Sequence, residues 1–184
     1  MKADNGNNKG RSRITSAAEP ANEARLGVAR KRLAESKDEK DAIEGLREIV
    51  ANLLGSEEFA LFTVDRGIAA SQVWWSFGID LEGYDLLRAL GDAGRQRLMR
   101  GECHVGSSSS ERSGAMAKVE AFVPIRSGNQ TIAILAIFRL LPQKIGFDKS
   151  DIELFKLLSE EAAQPLFGPN SRSKPVIERS GITT

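Results

Sequence analysis

The chain has 184 residues, 41% of them apolar and 28% charged, with a formal net charge of +1. That is enough chain for one sizeable core plus tails, and the near-neutral charge supplies no field to gather nucleic acid or an anionic membrane. The polar start MKADNGNNKGRSR lacks an apolar signal segment, and no stretch approaches the roughly 18 apolar residues that cross a bilayer.

A single cysteine rules out an intrachain disulfide and any multi-cysteine zinc site. A free thiol suits a reducing compartment, so a cytoplasmic protein without a membrane span is expected. In chain order, residues 1–22 hold almost no bulky apolar side chain except Ile14, and a disordered tail is expected there. The basic flavour continues through Arg25, Arg30, Lys31 and Arg32, but interleaved glutamates and the lack of aromatics argue against a nucleic-acid partner. Residues 23–36 read as a helical linker. A helix follows over 37–54, where Ile43, Leu46, Ile49 and Leu53 form one stripe, with Ser36 at the N-cap and Gly55 at the C-cap.

FALFTVD (59–65) and QVWWSFGID (72–80) read as strands. Strict alternation puts Val73, Trp75 and Phe77 on one face and Trp74 and Ser76 on the other. A short helical region begins near Tyr84, loosened by Gly91 and Gly94. ECHV fits a short edge strand and SSSSERSG a mobile surface loop. KVEAFVPI and TIAILAIF, joined by RSGNQ, form a hairpin. In its second strand Ile132, Ile134, Ala136 and Phe138 share one face and Ala133, Leu135 and Ile137 the other, so that strand is central and covered on both sides. Pro124 lacks a donor and belongs at an edge or bulge. FDKSDIELFKLLSEEAAQPLF is an amphipathic helix capped by Asp148 or Ser150 and ended by Pro165. A second disordered tail is expected over 168–184.

Helix, two strands, mixed middle, hairpin and helix make an α+β fold: an antiparallel β-sheet with terminal helices on one face and a mixed helix and loop segment on the other. With AFVPIRSGNQTIAILAIFRL and FDKSDIELFKLLSEEAAQPL, the chain resembles the GAF family of small-molecule sensor domains. Val123-Pro124-Ile125, Gly128, Ile132 to Leu135, Phe147, Asp151, Phe155, Leu158, Ala162, Ala163 and Leu166 fit the family's hairpin-and-helix pattern. LMRGECHV fits the strand that usually precedes it. The likeness runs from about Asp41 to Phe167, within a domain expected over 37–167. Ala133 departs from the usual glycine, and PAS domains share the general architecture.

The resemblance implies a ligand between the sheet and the middle segment, with Trp74, Trp75, Phe77, Leu87, Leu90, Met116 and Phe122 as candidate lining. Adjacent tryptophans on a strand point to opposite faces, so one is expected beneath the helices and the other in the pocket. It also implies that the terminal helices pair with a second copy, and Leu154 and Leu157 are the candidate homodimer seam.

Cys103-His104, holding the only cysteine and only histidine, matches the dipeptide of bilin-binding GAF domains. Here VGSSSSERSG follows it and offers no helical stripe. On a strand the two side chains also point apart, which spoils a Cys-His dyad. A single thiol cannot form the intramolecular disulfide used by the methionine-sulfoxide-reducing branch of the family. The family's cyclic-nucleotide signature, Walker A, GxSxG and HExxH are all absent from the sequence. The expectation is a sensory or regulatory protein rather than an enzyme, without catalytic or metal-binding residues and with no cofactor specified. It would bind a small ligand and signal to a partner protein through its terminal helices. The alternative is a ligand-free interaction or dimerisation module whose pocket is filled by its own side chains.

Overall fold

The computed structural model describes residues 18–65, 67–106 and 118–168. Five strands form one antiparallel sheet in the order β2-β1-β5-β4-β3. They are β1 (Ser56–Val64), β2 (Ser71–Phe77), β3 (His104–Val105), β4 (Ala121–Ser127) and β5 (Gln130–Leu140). β5 is central, between β1 and β4, because both its faces are apolar: Ala133, Leu135 and Ile137 enter one core cluster, and Ile134, Ala136 and Phe138 the other. β4 and β5 meet at a two-residue turn in which Gly128 takes φ 60°, a conformation that costs glycine little. β3 pairs only with Ala121 and Phe122, so β4 is an edge by Pro124, where a missing N–H costs no ladder bond.

One face carries helices α1 (Ala18–Ala34), α2 (Glu39–Glu48), α4 (Lys149–Glu161) and the short α5 (Ala163–Phe167). The other carries α3 (Leu86–Met99), kinked at Gly91, whose φ of 62° and ψ of −174° no other residue type adopts comfortably. The α+β architecture is therefore the one the element order implies.

Local details differ from the sequence expectations for physical reasons. Asp38, not Ser36, caps α2 by accepting from the Asp41 N–H, while the Ser36 hydroxyl donates to the Arg32 carbonyl at the end of α1. α2 runs on into a π-helical turn, Ile49–Leu53, closed by Leu54 N–H to Ile49 O. Asp148 caps α4 in a reciprocal capping box with Asp151. Pro165 lacks the N–H that would extend α4, and the chain bends at Ala162 before α5 carries on to Phe167.

α1 is not a linker. Its Leu26, Ala29 and Leu33 enter the same core as α2 and α4, and Ala29 is wholly inaccessible. The folded body therefore extends N-terminal to residue 37. Residues 18–22, expected in the disordered tail, begin α1; the rest of that tail, the 107–117 loop and residues 169–184 lie outside the described residues. Arg25 donates to the Ser150 hydroxyl at 2.7 Å and also reaches Asp151 and the Leu53 carbonyl. Arg30 meets Glu161 at 2.8 Å. Arg32 crosses α2 to reach Asp41 and Glu48, passing over Gly45, where a Cβ would stand 3.1 Å from its guanidinium.

Candidate functional site

The sheet separates two interiors. On the α3 side, Ala60 and Phe62 of β1, Phe122 of β4 and Ile134, Ala136 and Phe138 of β5 meet Leu86, Leu87 and Leu98 of α3. Tyr84, just before α3, lies 6.2 Å from the Phe62 ring and edge-on to Phe138 at 5.4 Å. Burial pushes its phenol up to about 12, so it stays a neutral hydroxyl at physiological pH. The sheet residues of this interior are closed off from water: Ala60, Phe62, Phe122, Ile134 and Ala136 all have zero exposure.

Of the candidate lining residues, Leu87, Leu90 and Phe122 come together here. Met116 lies outside the described residues. Trp74, Trp75 and Phe77 are on the other side of the sheet, and this corrects the expectation that alternation divides the tryptophans. β2 carries a bulge: Leu61 pairs with Trp75 and the next residue, Phe62, pairs with Val73, so Trp74 is the extra residue. Trp74 packs on Phe167 of α5 at 4.7 Å, while Trp75 and Phe77 surround Phe59 at 5.8 and 5.3 Å. Arg47 of α2 covers the Phe77 ring. All three aromatics thus belong to the terminal-helix core. A second irregularity, between Ile125 and Arg126 of β4, breaks alternation in β5: the Thr131 hydroxyl donates to Leu98 of α3, and Ile132 packs with the helix-side cluster rather than with Ile134.

Cys103 and His104 point to opposite interiors. Cys103 is half-buried against the helix-side core, and burial pushes its thiol up to about 11. His104 lies 5.3 Å from the Phe122 ring on the α3 side; burial and the nearby Arg97 hold its pKa below the ordinary value. A protonated, water-starved thiol facing away from the imidazole is a poor nucleophile. No group of three or more His, Cys, Asp or Glu side chains among the described residues is placed to hold a metal.

Sequence reasoning missed Phe62, Tyr84 and Phe138 as the aromatic floor of the α3 side. Alternation within β1, with Ala60 and Phe62 opposite Phe59 and Leu61, carries that signal. It also missed Arg126, whose buried Nε has no partner among the described residues and which lies beneath Gly101, where a Cβ would be 2.9 Å away. A separate cleft of about 460 Å³ opens on the helix side, lined by Leu33, Ser36, Lys37, Glu160, Gln164 and Pro165 among others.

No family model matches the sequence, and no curated protein does. Among solved structures, the GAF domain of a phosphoenolpyruvate-protein phosphotransferase from Coxiella burnetii is similar with a TM-score of 0.58 and 16% identity, over 82% of this chain and 95% of that one. The corresponding GAF domain from Acinetobacter gives 0.53 and 17%, over 78% and 93%. Residues 122 to 287 of a methyl-accepting chemotaxis protein give 0.51 and 14%, over 78% and 96%. At such identities the likeness carries the fold and nothing finer. The chain has a GAF-like fold.

Proposed function

We propose that this chain is a regulatory GAF-fold module that acts by protein contact, passing its state to a partner protein through the terminal-helix layer. The observation that carries the reading is the packing on the α3 side, where Tyr84 meets the Phe62 and Phe138 rings and these, with Phe122, cluster with the leucines of α3. The fold recurs in a methyl-accepting chemotaxis protein, which supports a regulatory reading, and in the GAF domains of phosphotransferase proteins. The unreactive Cys103 points the same way, and a free thiol supports a cytoplasmic setting.

A second reading, a small-ligand sensor, is favoured by the polar groups at the margin of the same interior: the Tyr84 hydroxyl, His104 and Arg126. Thermal unfolding against a panel of nucleotides, amino acids, oxyanions and haem-like cofactors separates the two. A ligand at about 100 times its dissociation constant adds about 2.7 kcal/mol. For a domain of this size that raises Tm by roughly 5–10 °C. No shift across the panel is the outcome expected of the interaction module, and a shift of that size rejects it in favour of the sensor.

A further inference from the structure

We draw no further inference here: the strongest candidate, the Arg126 guanidinium beneath the Gly101 turn at the end of α3, is only half-buried, belongs to the margin of the α3-side interior already described, and nothing among the described residues shows what would pair with it.

Discussion

At the scale of single residues, several side chains and glycines carry tests of their own. Burial pushes the Cys103 thiol up to about 11, so it stays protonated near pH 8. Alkylation by iodoacetamide is therefore expected to be slow in the native protein and fast in urea; equal rates would contradict the burial. His104 is held below its ordinary value mainly by burial. Its neutral form is favoured in the fold, so its contribution is present above the unfolded value of 6.5 and is lost as pH falls through the lower folded value. Urea midpoints measured from pH 7 down to 5 are expected to fall in the wild type and to fall less in His104→Gln. Asp148 follows the same sign at lower pH: bonds from Ser150 and the Asp151 N–H lower its pKa, so its capping contribution is lost below about 3.8. Gly78, at φ +72°, holds the backbone where a Cβ would lie 2.0 Å from the Glu57 carbonyl. Gly78→Ala is expected to cost about 1–3 kcal/mol from the left-handed conformation alone, and more once the clash is added.

At the scale of elements, α1 and α3 are the two that their sequences describe least well. The stripe of α1 is thin, three small or medium apolar residues among many charges, and nothing in residues 18–34 shows that α2 and α4 provide a groove for it. Leu33→Ala is expected to lower unfolding free energy by about 2–4 kcal/mol, since Leu33 is 3% exposed; a loss below 0.5 kcal/mol would mean that α1 is not docked in solution. In α3 the kink at Gly91 meets no neighbour among the described residues that a Cβ would strike. Gly91→Ala therefore tests conformation alone, and denaturant melts are expected to show a loss of about 1–3 kcal/mol. β5 was legible because a strand apolar on both faces has only one place in a sheet. The α4 cap was legible only as a choice between Asp148 and Ser150, and the reciprocal bonds between Asp148 and Asp151 decide it for Asp148. The face of Trp74 was not legible, because one inserted residue reverses all alternation beyond it and leaves no mark in the composition of SQVWWSF.

At the scale of the whole molecule, the sheet is a wall between a side covered by α1, α2, α4 and α5 and a side where Phe62, Tyr84 and Phe138 meet under α3. The element order made that division readable. The candidate lining was only half readable as a group: Leu87, Leu90 and Phe122 meet on the α3 side, whereas Trp74, Trp75 and Phe77 lie across the wall. Removal of residues 1–35 is expected to leave a folded but less stable body, with Leu154 and Leu157 opened to water and a raised tendency to self-associate. An unchanged Tm for the truncated chain would show that the helix side is complete without α1.

The bulge in β2 has an optical consequence. The two indoles are the only tryptophans in the chain, and both lie in the helix-side core, one against Phe167 and one against Phe59. Intrinsic emission is therefore a one-sided gauge. Loosening of the terminal helices is expected to move it to longer wavelength, whereas an event confined to the α3 side leaves the spectrum still. Read beside calorimetry, which senses both sides, that asymmetry assigns any conformational change in this protein to one face of its sheet without a single label being attached.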